Sequence, residues 1–439
     1  MSEDQLPLSF LPTTRDEMEQ RGWDEADIII VTGDAYVDHP AFAAAILGRL
    51  LESKGYRLGV IARPDPSQAE SVGRLGRPRL FFAVAPGAVD SMVNNFTAQR
   101  RRRRTDVYAP GGKGGGRPDR ALIVYCNLIR RAFGKSVAIL AGGIEASLRR
   151  FAHYDFMDDA VRRPILLDAP ADALVYGMGE WAIVEMAAAM QACAAGQRDD
   201  LSPGAALSAI ARRTAGAVWR SAASESPPGG MCRLPDFDAA RSDAKAQVAA
   251  FNLERLNRHR GVYQECAGHR VVANPPARPL TRKALDSVYA LPFARRAHPS
   301  YQERIPALDQ VQFSITSHRG CLGGCAFCGI ATHQGRRVQS RSRESILEEV
   351  RRITKHPDFK GTIRDIGGAT ANMWDAKCDH AKGCTRASCL APQVCEHLRH
   401  NQSEYAKLLE AAAKIDGVKH LFVSSGVRMD LALAYEPLI

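Results

Sequence analysis

The feature that most constrains this chain is a loop with three cysteines in eight residues, Arg319-Gly320-Cys321-Leu322-Gly323-Gly324-Cys325-Ala326-Phe327-Cys328. The spacing C-x3-C-x2-C lets one loop present three thiolates to one inorganic cluster, and thiolates are the usual protein ligands of Fe–S cubes. Three thiolates for four irons leave one iron open, as a substrate-binding cluster requires. The glycines in and beside the loop permit tight turns and a close approach of the backbone to that cluster: Gly320, Gly323, Gly324 and Gly329.

Structural zinc is the alternative ligand for this loop. A closed zinc site takes four protein ligands, and His318 or His333 would have to supply the fourth. The surrounding pattern favours the cluster instead. A strand is predicted over 311–315, the glycine-rich cysteine loop follows it, and a helix with the buried stripe Ile346, Val350 and Ile353 comes next.

This order of strand, cysteine loop and helix resembles the radical S-adenosylmethionine (SAM) superfamily. Stretches over 33–40, 141–147, 317–321 and 367–373 resemble its YgiQ-type family, whose substrate is unknown. The resemblance implies a [4Fe–4S] cluster held by Cys321, Cys325 and Cys328, with SAM bound at the open iron. It further implies cleavage of SAM to a 5′-deoxyadenosyl radical, and an electron donor such as flavodoxin or ferredoxin.

The resemblance also implies which residues bind SAM. Superfamily members place a Gly-Gly-Glu-like segment at the end of the second strand of the core. This chain keeps Gly367 and Gly368 there but has Ala369 in place of the acidic residue, so recognition of the SAM amino group would fall on backbone carbonyls. The residues after the third strand stand where the superfamily contacts the ribose and carboxylate of SAM: Ser424, Ser425 and Arg428.

A second group of cysteines follows with the spacing C-x5-C-x4-C-x5-C: Cys378, Cys384, Cys389 and Cys395. The group comes after the Gly367-Gly368 turn, at the carboxyl end of a predicted strand, where barrel enzymes build their sites. Four soft ligands in one short excursion predict a second metal site, either another [4Fe–4S] cluster or zinc. A cysteine-rich lid with free thiols or disulfides is the alternative. The YgiQ-type family is similar in carrying such a stretch.

Strand and helix patterns divide the chain into three regions. Residues 1–200 alternate apolar strands with helices, which predicts an N-terminal doubly wound α/β domain with a parallel sheet. Residues 201–305 are less regular and are predicted to be a mixed bridging region. Residues 306–439 are predicted to form a radical SAM core of the partial (β/α) barrel type. Because family members continue beyond position 439, we expect this core to be truncated and its SAM pocket to be incomplete.

A ligand site in the N-terminal domain is a separate question. Doubly wound domains ahead of radical SAM barrels resemble cobalamin-binding modules, which carry Asp-x-His-x-x-Gly after the first strand. This chain has Asp34, Asp38 and His39 without that pattern, so cobalamin is disfavoured. A common crevice at the carboxyl ends of the strands is predicted from five residues: Tyr36, Asp38, His39, Glu145 and Asp155.

Net charge and hydropathy limit the kinds of partner that the protein is expected to bind. The formal net charge is +11, which suits a polyanion such as RNA. The run Arg100–Arg104 is the most basic stretch, but like charges in sequence are more typical of a solvated loop. An RNA-modifying radical SAM enzyme is therefore one alternative. A non-catalytic Fe–S or zinc protein is the other, because the expected truncation leaves the barrel without some of its strands. The sequence lacks a run of apolar residues long enough for a membrane span and a signal-peptide pattern, which predicts a cytoplasmic protein without a membrane partner.

Overall fold

The computed structural model describes residues 10–197, 201–380 and 384–433. The chain divides into two compact units. The first comprises Met1–Asp38, Phe42–Arg278 and Ala297–Pro306, and the second comprises His39–Ala41, Pro279–Arg296 and Ala307–Ile439. Both units are therefore discontinuous in sequence.

A nine-stranded sheet forms the core of the first unit. Five neighbouring strands pair in parallel, as predicted from the alternation of strands and helices: Leu58–Ala62, Ile28–Thr32, Phe81–Ala85, Ile139–Ala141 and Ala173–Val175. All five are buried along their length because parallel sheets are covered on both faces. The sheet continues through strands that the sequence did not predict: Ala217–Ala222, His269–Ala273, Val262–Cys266 and Cys232–Arg233.

Those four additional strands make the sheet mixed. Ala217–Ala222 runs antiparallel to Ala173–Val175, and the pairings of His269–Ala273 on both sides are also antiparallel. Only the two-residue strand Cys232–Arg233 pairs in parallel with its neighbour. A further short hairpin joins His153–Asp155 to Ala160–Arg162. The chain is thus an α/β protein with a large parallel sheet that has an antiparallel extension.

Ten α-helices accompany this sheet among the described residues: Arg15–Glu19, Ala43–Glu52, Ser91–Asn95, Ala121–Phe133, Gly143–Leu148, Ile165–Asp168, Glu180–Ala192, Pro203–Ala211, Phe237–Ser242 and Ala244–Asn257. Helix Ala121–Phe133 shows why they form. It buries Leu122, Tyr125 and Ile129, which recur at helical spacing, against the sheet. Gly134, at a φ of +61°, ends it. Across the described part of the chain, no helix has both the length and the apolarity needed to cross a bilayer.

A buried arginine fills the switch point of the sheet, where strand Ile28–Thr32 separates strands that follow it in the chain. Arg117 is 1% exposed, donates through Nη1 to Pro86 O at 2.8 Å, and forms an ion pair through Nη2 with Asp34 at 2.5 Å. A Cβ on Gly87 would lie 2.0 Å from the same Nη1. The carboxyl ends of these central strands are therefore occupied by the protein's own side chains.

The five residues predicted to face a common crevice instead belong to separate networks. Tyr36 OH accepts from Leu11 N, and Asp38 pairs with Arg49. Asp155 pairs with Arg120 and Arg149, while Glu145 accepts from the backbone N–H groups of residues 91 and 122. His39 falls in the second unit, where its Nε2 lies 3.0 Å from Arg295 Nη1. The structure gives each of these groups a local structural role.

The second unit contains short parallel strand pairs that position the cysteine loop. Ser314–Thr316 pairs with Asp365–Gly367, and Thr362–Ile363 pairs with His420–Leu421. The first of these strands begins later than the predicted 311–315 because residues up to Val311 are helical. The second and third strands expected in this core lie near residues 362–367 and 420–421. Two antiparallel bridges complete the strands of this unit: His318–Arg319 with Gln339–Ser340, and Lys377–Cys378 with Leu398–Arg399.

Helix Arg343–Thr354 packs against these strands as the sequence predicted. Ser342 caps it by accepting from Ser345 N at 3.1 Å, and Ile346, Val350 and Ile353 are all buried. The remaining α-helices of the described second unit are Arg282–Tyr289, Pro306–Val311, Ile330–His333, Gln402–Ala413 and Met429–Ala432.

Candidate functional site

The cysteine loop leaves the carboxyl end of a parallel strand, through the short strand His318–Arg319. Its backbone needs glycine at two positions. Gly320 has a φ of +88°, and a Cβ there would lie 2.3 Å from Arg337 O. Gly324 has a φ of +61°, and a Cβ there would lie 2.1 Å from Ala387 O. Both positions combine a left-handed backbone with a close approach of another segment, so the loop can take this path only with glycine.

Two of the three predicted cluster ligands, Cys321 and Cys325, lie close to Gly323. A Cβ on that glycine would be 3.4 Å from Cys321 Sγ and 3.6 Å from Cys325 Sγ. The Gly323 N–H also donates to Cys321 Sγ at 3.4 Å. Burial raises the pKa of the Cys321 thiol, and the nearby thiols of Cys328 and Cys325 raise it further. The three thiols therefore share one small volume of the loop, and each is half-buried.

Arg428, a predicted SAM-binding residue, lies beside this group. Its Nη1 is 3.8 Å from Cys325 Sγ, and the guanidinium opposes the rise in the pKa of Cys321. Asn372 holds Arg428 there through a pair of hydrogen bonds. Asn372 Oδ1 accepts from Arg428 N at 2.8 Å, and Asn372 Nδ2 donates to Arg428 O at 3.0 Å. Sequence reasoning did not single out Asn372, although it lies in the 367–373 stretch that carried the resemblance.

The Gly367-Gly368 turn has no room for side chains. A Cβ on Gly367 would lie 1.9 Å from Ser425 Oγ, and one on Gly368 would lie 2.6 Å from His318 O. Asp365 joins the predicted serines to this turn, because its Oδ1 accepts from Ser424 N at 2.9 Å and from Ser425 Oγ at 3.1 Å. The structure thus brings Gly367 and Ser425 into direct contact. Asp365 was not identified from the sequence as a residue of the site.

His318 lies behind the same turn and was considered from sequence only as a zinc ligand. It is 1% exposed, and burial lowers its pKa to about 4, so the imidazole is neutral at pH 7. Nδ1 lies 2.9 Å from Ser317 Oγ, whereas Nε2 is buried without a hydrogen-bond partner. That Nε2 would be 2.8 Å from a Cβ on Gly368. His318 is therefore packed against the turn rather than exposed to solvent.

The second cysteine group packs against the first loop. Cys389 N donates to Leu322 O at 3.0 Å, and Cys389 and Cys395 belong to the same buried cluster as Leu322 and Leu398. Cys378 and Cys384 are exposed. Burial raises the pKa of the Cys389 thiol, the guanidinium of Arg336 lowers it, and the other three thiols raise it further. Of the four predicted ligands, Cys389 and Cys395 thus lie in one buried cluster.

The donor sets decide which groups these loops fit. Over residues 10–197, 201–380 and 384–433, no three cysteine, histidine or carboxylate side chains are placed as a ready-made site for one metal ion. A four-iron cube binds each thiolate through a different iron, so its ligands surround the cube instead of meeting at a point. Three thiols carried by one glycine-rich loop fit such a cluster, and Cys321, Cys325 and Cys328 would hold it.

Comparison with known proteins gives a consistent family assignment. A family model described as Radical SAM N-terminal matches residues 10–314. A UPF0313 protein of Thermotoga petrophila is 47% identical over 433 residues, which cover 97% of this chain and 74% of the relative. A UPF0313 protein of Methanocella arvoryzae is 48% identical over 430 residues, covering 96% and 69%. One of Geobacter sulfurreducens is 48% identical over 433 residues, covering 97% and 69%.

Among solved structures, this chain is similar to the radical SAM methyltransferase TsrM from Kitasatospora setae, which has tryptophan substrate and a SAM analogue bound. The match covers 79% of this chain and 48% of the TsrM chain. The identity is 14% and the TM-score is 0.40.

Proposed function

Since this chain belongs to the UPF0313 family and carries the Radical SAM N-terminal region over residues 10–314, we propose that it is a radical SAM enzyme whose Cys321, Cys325 and Cys328 hold a [4Fe–4S] cluster. Family membership agrees with the resemblance to YgiQ-type proteins noted from the sequence. The substrate class is a separate question that the family name does not answer.

The grouping of three thiols in one loop, with those of Cys321 and Cys325 beside Gly323, is the observation that carries this proposal. Cys321 Sγ and Cys325 Sγ lie at similar distances from one backbone position, and Cys328 is near enough to raise the pKa of Cys321. All three come from one loop at the carboxyl end of a parallel strand, which is where α/β proteins place their ligands. A structural zinc site would need a fourth ligand at this loop. The candidate His318 instead packs against Gly368.

When bound, the cluster would supply the electron that splits SAM into methionine and a 5′-deoxyadenosyl radical, which takes a hydrogen atom from the substrate. The side chains around the loop would bind and orient SAM. Arg428 pairs with Asp430 through Nε and Nη2, and its Nη1 lies 3.8 Å from Cys325 Sγ, where it would donate to the carboxylate of SAM. Asp365 fixes Ser424 and Ser425 beside Gly367. With Ala369 in place of an acidic residue, backbone carbonyls of the turn would receive the SAM amino group.

Replacement of one cluster ligand tests the proposal directly. The Cys321→Ala variant should lose the brown colour of the anaerobically reconstituted protein and its release of 5′-deoxyadenosine from SAM, because two thiolates cannot hold the cube. Iron, acid-labile sulfide and 5′-deoxyadenosine would be measured with a flavodoxin-type or chemical reductant.

Cys232→Ala is the matched control, because Cys232 is a half-buried free thiol on an edge strand of the first unit. It should behave as the unmodified chain does. SAM cleavage by Cys321→Ala at the unmodified rate would refute the assignment. Equilibrium binding of SAM to the reconstituted chain gives a second readout, since a non-catalytic metal protein would bind none.

A further inference from the structure

The second cysteine excursion spans residues 377–399, of which the structure describes 377–380 and 384–399, and its two ends are fixed. Lys377–Cys378 and Leu398–Arg399 pair antiparallel and close it at its base. Arg386 ties part of the interior by donating to Ser388 O at 3.0 Å and to Gln393 O at 2.8 Å. Small segments without a sizeable core of their own usually need a cross-link or a metal to hold them.

Two of the four thiols of this segment, Cys389 and Cys395, lie in one buried cluster. Cys389 and Cys395 are 7% and 8% exposed, and Cys395 N donates to Cys389 O at 2.8 Å. Cys378 pairs with Leu398 of that cluster in the short antiparallel bridge, Cys384 follows in the same segment, and both are exposed. All four are free thiols. Their arrangement, two buried and two exposed, is that of a site at the edge of a small core.

Arg336 places a positive guanidinium beside these cysteines, which indicates a site suited to negative charge. Its Nη2 donates to Cys389 Sγ at 3.8 Å, and its Nε is buried without a hydrogen-bond partner. Four thiolates around a divalent zinc ion, or around an oxidised [4Fe–4S] cube, leave a net negative charge. A neighbouring guanidinium with a spare N–H donor stabilises that charge, as groups around metal ligands commonly do.

We propose that Cys378, Cys384, Cys389 and Cys395 form a closed four-thiolate metal centre, distinct from the three-thiolate loop at Cys321, Cys325 and Cys328. The centre takes a second [4Fe–4S] cluster, because the thiols, as the structure describes them, are not placed to meet at one metal ion and each iron of a cube binds its own thiolate. Each thiol gives up its proton on binding. Because all four ligands come from the protein, the centre has no open position. Its role is to fix the excursion against the first loop, through Cys389 N and Leu322 O.

The test uses the full chain with Cys321, Cys325 and Cys328 all replaced by serine, which removes the first site. Zinc, iron and acid-labile sulfide would be counted per chain after anaerobic purification and after reconstitution. We expect this variant to retain metal. Four irons with four sulfides per chain would identify the cluster, whereas one zinc without sulfide would contradict it. Absence of bound metal in a variant whose circular dichroism matches the unmodified chain would overturn the proposal.

Two further replacements locate that metal. Cys378→Ser and Cys384→Ser, made singly in the triple-serine chain, should each abolish metal retention, and their exposed positions leave the buried core unchanged. Cys232→Ser is the matched control and should retain the metal. If each of the two single variants retained the metal, the metal would lie elsewhere and the assignment would be overturned. Arg336→Ala should weaken metal affinity by roughly 10- to 100-fold in a chelator competition.

A measurement on the chain with its first site intact covers the case in which the triple variant does not fold. Cys384→Ser in the otherwise unmodified chain should lower the total metal by the content of one centre. The SAM-dependent cluster signal in electron paramagnetic resonance should remain. An unchanged metal content would contradict the proposal. Loss of the SAM-dependent signal of the first cluster, with no other loss of metal, would also contradict it.

Discussion

A side chain at position 368 would meet His318 from two sides. The His318 backbone oxygen lies 2.6 Å from the place of a Cβ, and its Nε2 lies 2.8 Å from it. Neither group moves easily, because the imidazole is buried and is held by Ser317 Oγ at 2.9 Å. Position 368 therefore has to be glycine for reasons of space, whatever the turn binds.

Gly368→Ala should consequently impair the turn without removing the cluster. Inserting a methyl group into a filled site costs about 1–3 kcal/mol when neighbours must shift, so we expect a lower unfolding temperature and weaker SAM binding. Iron and sulfide content should stay at the unmodified level, because the cysteine loop is untouched. Gly229→Ala is the control, since nothing lies within 4 Å of its Cβ position. Equal SAM affinity in both variants would show that the turn does not contact SAM.

Single residues of the site were predictable from sequence only where their signal was local. The cysteine spacing and the adjacent glycines stand in one short run, so their grouping around Gly323 followed directly from the sequence. Asn372 and Asp365 were missed because their partners, Arg428 and Ser425, are more than fifty residues further along the chain. No short pattern encodes such a pairing.

At the scale of elements, one buried carboxylate holds the strand that leads into the cysteine loop. Glu349, on helix Arg343–Thr354, forms ion pairs with both Arg295 and Arg341, and its side chain is 3% exposed. Arg295 Nη1 donates to Ser314 O at 3.0 Å, and Arg341 Nη1 donates to Thr316 O at 3.1 Å. The helix thus anchors strand Ser314–Thr316 at both ends through two arginines.

Glu349→Gln should destabilise the second unit strongly. Removing one partner of a buried ionic group leaves uncompensated charge and costs about 3–5 kcal/mol, here with two guanidiniums affected. Urea unfolding followed by fluorescence would measure the loss, and cluster retention should fall with it. Glu348→Gln is the matched control, because that neighbouring carboxylate is 61% exposed. A loss below about 1 kcal/mol would mean that solvent reaches the arginines.

Elements were predicted best where hydrophobic pattern and length agreed. Strands Ile28–Thr32 and Leu58–Ala62 each contain a short apolar run of the kind from which the alternation of strands and helices was predicted. Strand Cys232–Arg233 has two residues and carries no pattern. Its place in the sheet depends on Val262–Cys266, about thirty residues away. The antiparallel extension could not be read for that reason.

At the scale of the whole molecule, the βα alternation predicted a parallel sheet, but the two compact units are discontinuous in sequence. His39–Ala41 belongs with the second unit although it lies between segments of the first. In that unit His39 Nε2 approaches Arg295 Nη1, a contact over 256 residues of chain. Division of the sequence into consecutive regions cannot assign His39–Ala41 to the second unit, because only tertiary contacts define that assignment.

The net charge of +11 is the property of the whole chain that bears on RNA. The run Arg100–Arg104 is exposed but ordered, and several of its members have local partners. Arg102 forms an ion pair with Asp119 at 2.6 Å, and Arg103 Nε donates to Phe96 O at 3.1 Å. Arg101 and Arg104 are the members whose replacement disturbs these contacts least.

Replacing Arg101 and Arg104 together by alanine should therefore change tRNA binding little. Each lost phosphate contact would reduce the slope of log K against log salt by roughly 0.7 to 0.9, so two contacts would reduce it by about 1.6. We expect a reduction below roughly 0.5 and a change in Kd of less than about threefold, because a run of like charges is more typical of a solvated loop than of a binding site. Arg213→Ala with Arg241→Ala removes the same charge from exposed positions elsewhere and is the control. A reduction near 1.6 that is absent from the control would instead place RNA on this loop and favour an RNA-modifying enzyme.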